Sequence, residues 1–418
     1  MNIYIFYEHL AREWDSLVSL KNYLETNFDY RVYMFSIIFE RFKSYHSAKI
    51  NKPDVVLVPW FVNETHESFI EPLIRINPQL KVINLHQEQI SNKAFSPVLI
   101  PKTAYSRNGI FHVTWGEYYK SILIDNGVDE KLIDVVGNIR NDTGASITNN
   151  KADLATEYHL DFNKKWILFA ENRGWILQRN NESVKLDLIA KGVKREDIES
   201  CISYQKQSLD LFLNHINSFP SDFFNSFEFI YRPHPGTRIY CDNKCVHVIS
   251  EKSIYEWIQC CDLYITCDST SIYEAEFCNK PCATFDLIEE PDNLKMPGIT
   301  EYYKLDSLHF INDDLIDAIY DYQSKHKAIY ENYLGKIDGN SIERLSDFIR
   351  YVYKTDFSYT EKIVKPSLYN IIHGYVFELV TKIVVSLNIL DKIKFPDSAY
   401  VESRDIPYSK NNKNKYKI

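Results

Sequence analysis

The amino-acid sequence predicts an α/β protein with two doubly wound, Rossmann-type domains and a helical C-terminal extension. Short apolar, β-prone segments recur along the chain, and each is followed by helix-compatible sequence. The rhythm pauses near residue 150 and then restarts. Continuous apolar strands that alternate with amphipathic helices are typical of parallel sheets covered on both faces. The length of 418 residues also suits two hydrophobic cores better than one.

The predicted first domain covers residues 1–150. Helical sequence follows its strands, as in Glu117 to Asn126, where apolar residues recur at helical spacing and Gly127 provides a C-terminal cap. The polar residues 141–153 have the composition of a linker or an exposed loop. The predicted strands are NIYIFY (2–7), YRVYMF (30–35), DVVLVPW (54–60), KVINLH (81–86) and IFHVTW (110–115).

The predicted second domain covers residues 151–340 and includes a charged, helix-compatible insert after its first strand. Residues 341–418 are predicted to form the helical extension with a basic tail. Its apolar helix at 368–390 either packs on a domain or docks to the inner face of the cytoplasmic membrane. The predicted strands are KWILFAE (165–171), FEFIY (227–231), VHVI (246–249), DLYITC (262–267) and CATFD (282–286).

Composition excludes several classes of protein. A net charge of -9 argues against a nucleic-acid binder, because such domains usually carry a basic surplus. The amino terminus lacks the features of a secretory signal, and no window is uninterruptedly apolar over about 18 residues. We therefore expect a cytoplasmic protein that does not cross a bilayer. The 8 cysteines lack the paired CxxC spacing of zinc sites and are expected to be reduced, mostly structural thiols.

A histidine between two prolines follows the strand FEFIY. Ligands of parallel α/β sheets bind beyond the carboxyl ends of the strands. The prolines around His234 restrict its backbone, so that the imidazole is held at the sheet edge, where it can donate to a phosphate. Arg232 adds a planar set of donors suited to anions. The simpler interpretation is a rigid turn that carries a surface histidine.

Hydroxyl residues follow the strand DLYITC and support the interpretation of a ligand site. Ser269, Thr270 and Ser271 stand at a predicted helix start, which offers free backbone N–H groups to a phosphate. Ser271 and Glu274 have the spacing of a capping box, and Glu274 could instead bind the ribose hydroxyls. Capping alone is the simpler explanation.

Three further strand ends carry polar residues. Glu88, within HQEQ, could present a carboxylate to a cleft between the domains, although a lone glutamate there is more often a solvated loop residue. No GxGxxG follows the first strand and no GxxxxGK[ST] occurs, which argues against dinucleotide oxidoreductases and ATPases. The remaining candidates are Glu171, Asn172, Arg173 and Gly174 after one strand, and Asn138, Arg140 and Asp142 near the end of the first domain.

Five motifs in this order resemble the bacterial surface carbohydrate biosynthesis proteins, which are glycosyltransferases of GT-B architecture. The family is related to the transferases of Kdo and of nonulosonic acids (pseudaminic, legionaminic and sialic acid), and the resemblance covers roughly residues 50–290. The family motif GNPR reads Gly137-Asn138-Ile139-Arg140 here, without the proline. The motifs are HQEQ (86–89), TWGE (114–117), VVGNIRND (135–142), YRPHPG (231–236) and CDLYITCDSTSIYEAEFCNKPCATF (261–285).

The resemblance implies two Rossmann-type domains that face each other across a cleft, and a CMP-activated acidic 3-deoxy-2-ulosonic sugar as donor. The acceptor would be a hydroxyl of a capsule or lipopolysaccharide glycan, free or lipid-linked. No cofactor and no metal are implied. His234 would contact the donor phosphate, together with Ser269, Thr270 and Ser271, and Glu274 would lie near the ribose. Arg232 and Arg173 would neutralise charge.

The reaction also needs a carboxylate near the anomeric carbon. If the sugar inverts, the carboxylate is a general base toward the acceptor; if the configuration is retained, it is a nucleophile. Glu88 is the first candidate, Glu171 the second and Asp142 a reserve.

Three alternatives stay open. A polyol-phosphate transferase that acts on CDP-glycerol shares an HP motif and a serine-rich helix start, but only its product gains phosphorus. A UDP-hexose transferase is another candidate. From a different class, the chain could be a non-catalytic sugar-nucleotide-binding assembly protein.

Overall fold

The computed structural model describes residues 1–173, 182–234, 241–357, 359, 363–387, 405–409 and 412. The chain divides into two compact units. Unit 1 comprises Met1–Gln89, Leu99–Arg140 and Asp338–Ile418, and unit 2 comprises Ile90–Val98 and Asn141–Ile337. The sequence suggested a boundary near residue 150 and a separate extension from residue 341. The extension instead belongs to unit 1, because Leu345, Ile349 and Val352 are buried in the core of that unit.

Unit 1 contains a six-stranded parallel sheet in the order β2-β1-β3-β4-β5-β6. Alternate residues of its first strand enter opposite cores: Ile3 and Ile5 pack on one face, and Tyr4 and Phe6 on the other. This burial on both faces explains why the strand sequences are continuously apolar. The strands are β1 (Asn2–Tyr7), β2 (Arg31–Ser36), β3 (Val55–Val58), β4 (Lys81–Asn84), β5 (Phe111–Thr114) and β6 (Ile133–Val135).

Two helices of unit 1 lie near the carboxyl end of the described chain. The helices of unit 1 are α1 (Leu10–Phe28), α2 (Arg41–Asn51), α3 (Glu64–Ile76), α4 (Ala104–Asn108) and α5 (Glu117–Asp125), with α15 (Ser341–Lys354) and α16 (Leu368–Ser386) after unit 2 in the chain. Helix α6 (Ile139–Ala145) begins in unit 1 and ends in unit 2.

Unit 2 contains a second six-stranded parallel sheet, in the order β12-β11-β10-β7-β8-β9. Counted from its own first strand, this is the order 6-5-4-1-2-3 of dinucleotide-binding Rossmann domains. The strands are β7 (Lys165–Ala170), β8 (Phe227–Arg232), β9 (Val246–Val248), β10 (Leu263–Thr266), β11 (Cys282–Thr284) and β12 (Tyr303–Lys304).

The helices of unit 2 include the long helix α9, whose Phe212 and Ile216 pack on the sheet. The set is α7 (Lys151–Tyr158), α8 (Glu182–Ala190), α9 (Arg195–Asn217), α10 (Phe223–Ser226), α11 (Ile254–Cys260), α12 (Ser271–Phe277), α13 (Pro297–Thr300) and α14 (Asp313–Leu334). The eight cysteines are free.

The predicted fold class is confirmed: both sheets are parallel and doubly wound, and helices form the C-terminal region. Every one of the ten predicted strands is present. Strands β6 and β12 were missed because they contain only 3 and 2 residues. The prediction of a loop at 141–153 was wrong, since α6 and α7 occupy most of it; the side chain of Asn150 accepts from Ala152 N and caps α7.

Helix α16 also corrects an expectation. Among the described residues it is long and apolar enough, by length and composition, to cross a membrane. The sequence contains no uninterrupted apolar run at this place, because Glu378 and Lys382 interrupt it. The expectation that no segment could cross a bilayer rested on such a run.

Candidate functional site

The two sheets each have one point where the strand order reverses, and ligands of such folds bind at that point. In unit 2 it lies between β7 and β10. Asn172, just after β7, donates from Nδ2 to the backbone carbonyl of Asp268, just after β10. Its Oδ1 accepts from the thiol of Cys267 over 2.6 Å. Asn172 therefore joins the two strand ends.

A cluster of hydroxyl groups lies at the same edge. Ser271 Oγ donates to Ser269 Oγ at 2.7 Å and lies 2.5 Å from the Tyr264 hydroxyl. Each of the two serines is partly exposed. The predicted capping box of Ser271 and Glu274 is wrong: Thr270 is the N-cap residue of α12, has helical dihedral angles and makes no side-chain capping bond. The serine hydroxyls are thus bonded to one another at a polar, accessible edge.

Arg232 and His234 follow β8, which neighbours β7. Arg232 donates to the backbone carbonyls of Glu251 and Lys252 over 2.7 and 2.6 Å, so part of its guanidinium is engaged by the protein itself. The negative charge of Glu274 acts on the same guanidinium. His234 is partly exposed. Pro235 and Gly236, which follow His234 in the predicted rigid turn, lie outside the described residues, as does Gly174.

Glu171 and Arg173, two other predicted site residues, form a buried ion pair. Arg173 donates to both carboxylate oxygens of Glu171 over 2.8 and 2.6 Å, and Tyr231 donates to one of them over 3.0 Å. The guanidinium also donates to Ser208 and lies 4.6 Å from the centre of the Phe212 ring. Burial would raise the pKa of Glu171, but the charge and hydrogen bonds of Arg173 lower it.

This ion pair places both residues in the interior of unit 2. Their side chains are 0% and 2% exposed, and the oxygens of Glu171 are engaged by protein donors. The structure therefore gives Glu171 and Arg173 a structural environment, and we leave them out of the proposed chemistry.

An acidic group beyond β11 and β10 was missed by the sequence analysis. Asp286 accepts from the Tyr204 hydroxyl over 2.6 Å and from Ser208 Oγ over 2.7 Å. Burial and the neighbouring carboxylate of Glu290 raise the pKa of Asp268 well above its usual value. The rule that strand ends carry site residues would have found Asp286, which comes two residues after β11. Within the described part of the chain, no group of three or more His, Cys, Asp or Glu side chains could hold a metal ion.

The strand order of unit 1 reverses between β1 and β3. Trp60, two residues after β3, donates from Nε1 to Glu8 Oε2 over 2.7 Å, and Glu8 directly follows β1. Glu13 accepts from the backbone N–H of Glu8 over 3.0 Å, and burial raises the pKa of Glu13 to about 7. A polar cluster thus occupies the reversal point of this sheet as well.

Glu88 lies at the same edge as an accessible carboxylate. Arg12, on the first turn of α1, donates to Glu88 Oε1. The two side chains are 42% and 47% exposed. Burial would raise the pKa of Glu88, but the positive charges of Arg12 and Arg140 lower it. Glu88 is therefore ionised at neutral pH, and its side chain is partly shielded yet still accessible to solvent.

The backbone before Glu88 is fixed by buried histidines. His86 has a φ of 43°, a left-handed conformation that is uncommon outside glycine. Its Nε2 lies 3.0 Å from Nδ1 of His112 and 3.0 Å from the side-chain nitrogen of Asn84. Burial and the neighbouring His112 lower the pKa of His86 well below its usual value, so both imidazoles are neutral. This anchoring holds Glu88 at the edge of the sheet.

The positive charge of Arg140 acts on Glu88, and Asn138 lies beside Gln87, whereas Asp142 belongs to unit 2 and is buried. Asn138 lines a small pocket with Gln87 and Trp115. Its Oδ1 accepts from the backbone N–H of Arg140 over 3.0 Å, and in the described part of the chain its Nδ2 has no hydrogen-bond partner. Glu88, Asn138 and Arg140 thus all belong to unit 1, and Asn138 and Arg140 are hydrogen-bonded to each other. The sequence analysis missed Arg12, the ion-pair partner of Glu88, although it stands only five residues after β1.

Comparison of this chain with known proteins identifies its fold. The sequence matches no protein-family model and no curated protein. A UDP-GlcNAc 2-epimerase from Methanocaldococcus jannaschii matches the structure with a TM-score of 0.50 and 16% identity, over 84% of this chain and 100% of that one. A variant of the wall teichoic acid polymerase TagF with CDPG matches with a TM-score of 0.52 and 14% identity, over 84% and 88%. These likenesses confirm the predicted GT-B-like fold of two Rossmann-type α/β domains.

Proposed function

We propose that the chain is a GT-B-type transferase that moves an acidic 3-deoxy-2-ulosonic sugar from its CMP-activated donor to a hydroxyl of a capsule or lipopolysaccharide glycan. The observation that carries this proposal is the polar edge of unit 2, at the reversal point of a Rossmann sheet, where Asn172 bonds the backbone of Asp268 and the hydroxyls of Ser269 and Ser271 bond each other. The sugar class comes from the resemblance of the sequence motifs to the surface carbohydrate biosynthesis proteins. The similar solved structures include a UDP-GlcNAc 2-epimerase and a TagF variant with CDPG, and they support a nucleotide-activated donor.

Unit 2 would bind the nucleotide. Ser269, Thr270 and Ser271 offer hydroxyl and backbone donors to the phosphate, His234 adds a further donor, and Glu274 would accept from the ribose hydroxyls. CMP leaves with a single phosphate, whose charge such donors can stabilise. We therefore propose a metal-independent reaction.

Unit 1 would supply the catalytic carboxylate. In an inverting transfer, Glu88 accepts the proton of the acceptor hydroxyl while that oxygen attacks the anomeric carbon. The bond from the anomeric carbon to the phosphate oxygen breaks, and CMP carries away the electron pair. The exposure of Glu88 leaves it accessible to an acceptor, and its lowered pKa keeps the carboxylate ionised at neutral pH. Arg140 and Asn138, whose Nδ2 has no partner among the residues that the structure describes, can then contact the acidic sugar or the acceptor.

A second candidate is a polyol-phosphate transferase of the CDP-glycerol type. The likeness to TagF, with a TM-score of 0.52, favours it. The same edge of unit 2 would bind the nucleotide, but the attacked atom would be phosphorus rather than carbon. The acceptor would then gain a phosphodiester, and CMP would again be released.

Nucleotide binding is the first experiment. We expect CMP, without added metal, to raise the melting temperature of the wild-type protein more than CDP, UMP, UDP or NAD does. His234→Ala should lose this response. The matched control is His159→Asn, which changes an exposed histidine of unit 2 at a left-handed position that asparagine tolerates. A preference for UDP or NAD, or a CMP response equal in wild type and His234→Ala, would contradict the donor or its site.

Product analysis then separates the two candidates. The protein is incubated with a CMP-activated ulosonic sugar or with CDP-glycerol, each with a glycan acceptor, and the acceptor is analysed by mass spectrometry and for phosphorus. Gain of a sugar without phosphorus supports the ulosonate transferase. Gain of phosphorus supports the polyol-phosphate transferase instead. Nucleotide binding without either product would indicate an assembly protein.

A further inference from the structure

Helix α16 exposes a broad apolar face to solvent, while polar groups as well as apolar ones lie on its buried face. The face toward unit 1 includes Gly374, Glu378 and Thr381, and the last two are 4% and 3% exposed. On the opposite face the large apolar side chains are exposed to between 48% and 72%. They are Leu368, Ile372, Val376, Leu379 and Ile383.

The inner face fixes α16 firmly on unit 1. Glu378 Oε2 accepts from the backbone N–H of Phe42, the second residue of α2, over 2.8 Å. The Phe377 ring stacks on Phe39 with centroids 6.0 Å apart, and Tyr375 meets Phe42 edge to face at 5.4 Å. A Cβ on Gly374 would come within 3.1 Å of the Phe42 ring, so this glycine permits the close approach. The helix is thus held along the surface of the unit.

The exposed apolar stripe is continuous and runs along the whole length of α16. From Leu368 to Leu387 the helix spans roughly 30 Å at 1.5 Å per residue. Within the described residues, Leu387 is 61% exposed and extends the stripe by one turn. Tyrosines flank it: Tyr369 and Tyr375 are 73% and 51% exposed. Tyrosine is enriched where an apolar layer meets water.

The charge of the surrounding sequence is opposite to that of the whole chain. Residues 362–418 contain ten Lys or Arg and five Asp or Glu, whereas the chain has a net charge of -9. Lys365 and Lys382 flank the stripe and are exposed. Basic residues beside an apolar helix face attract anionic lipid head groups.

We propose that α16 lies flat on an anionic lipid bilayer, with Leu368, Ile372, Val376, Leu379 and Ile383 inserted among the head groups and upper acyl chains. A spanning orientation would pull Glu378 and Thr381 away from unit 1 and expose them to hydrocarbon, which is costly for an ionisable group. A second copy of the chain could also cover an apolar stripe, and sedimentation velocity of the wild type and the α16 variant tests that alternative. The bilayer explains both the apolar stripe and the exposed Lys365 and Lys382 beside it.

Vesicle sedimentation tests this proposal with the full chain. We expect the wild-type protein to sediment with vesicles of phosphatidylglycerol and phosphatidylcholine, and to bind pure phosphatidylcholine at least tenfold more weakly. Ile372→Glu/Leu379→Glu should lower binding to the anionic vesicles at least tenfold. Both positions are exposed, so the variant is expected to keep the wild-type melting temperature.

The matched control is Leu186→Glu/Phe310→Glu, which places the same two charges at exposed apolar positions of unit 2, and it should bind like wild type. Equal vesicle binding by the α16 variant and wild type, or no binding by wild type, would overturn the proposal. So would a dimer in sedimentation velocity that the α16 variant converts to a monomer. Retention in the vesicle pellet after an alkaline carbonate wash would overturn the flat orientation.

Discussion

Arg173 holds both carboxylate oxygens of Glu171 inside unit 2, with two N–O distances of 2.8 and 2.6 Å. The two side chains are 2% and 0% exposed. Removal of one partner leaves the other charge buried without compensation, which typically costs about 3–5 kcal/mol. We therefore expect Arg173→Met to lower the free energy of unfolding by about that amount, as measured by urea denaturation.

An exposed pair provides the control for this prediction. Arg195 and Glu182 lie at the same 2.6 Å distance but are 51% and 59% exposed. Exposed ion pairs contribute little to stability because water and salt screen them. Arg195→Met should therefore leave the urea midpoint nearly unchanged. Equal effects of the two substitutions on the free energy of unfolding would show that burial does not determine how much the Glu171 ion pair contributes to stability.

Glu88 is the carboxylate that we expect to act as the general base. Glu88→Gln keeps the size of the side chain but removes the base, and loss of a general base typically costs about 10²- to 10⁴-fold in rate. We expect this loss in kcat with the identified donor, while the nucleotide-induced rise in melting temperature stays as in wild type. Glu130→Gln, at a 68% exposed glutamate of the same unit, should keep full activity. Transfer at the wild-type rate by Glu88→Gln would exclude Glu88 as the base.

The fold could be predicted from the sequence because both sheets are buried on both faces. Each long strand is a continuous apolar run, and each run was recognised. The same criterion misses β6 and β12, because 3 and 2 residues are too few to show a pattern. The exposure of α16 could not be predicted, since it depends on which face packs against α2.

The candidate site could be predicted only in part. The strand-end rule found Glu88 and Glu171 by the same reasoning, yet the structure exposes one and buries the other. The difference comes from partners that are distant in the sequence. Glu171 meets Tyr231, 60 positions away, and Glu88 meets Arg12, 76 positions away. A single sequence shows the strand ends but not which side chains turn inward.

The pH dependence of transfer should depend on Arg12. Its positive charge lowers the pKa of Glu88, against the effect of burial. Removal of that charge raises the pKa, so that Glu88 takes up its proton at a higher pH. We therefore expect Arg12→Gln to move the acid limb of kcat/KM to higher pH, and Arg12→Lys to move it less because the charge is kept. Arg75→Gln, at an exposed arginine of the same unit paired with Glu71, should leave the profile unchanged. An acid limb that is the same in Arg12→Gln and wild type would mean that another group controls it.

Gly137, beside the pocket residue Asn138, can be tested against a second glycine with a similar backbone. Gly137 has a φ of 92° and Gly339 a φ of 76°, both left-handed conformations that cost other residues roughly 1–2 kcal/mol. A Cβ on Gly137 would collide with Ser341 Oγ, whereas at Gly339 nothing lies within 4 Å. We expect Gly137→Ala to lower the free energy of unfolding by more than Gly339→Ala does, because it adds a steric clash to the same backbone cost. Equal losses of unfolding free energy in urea denaturation would show that α15 can move away from Gly137. The motif VVGNIRND would then tolerate a side chain at this position.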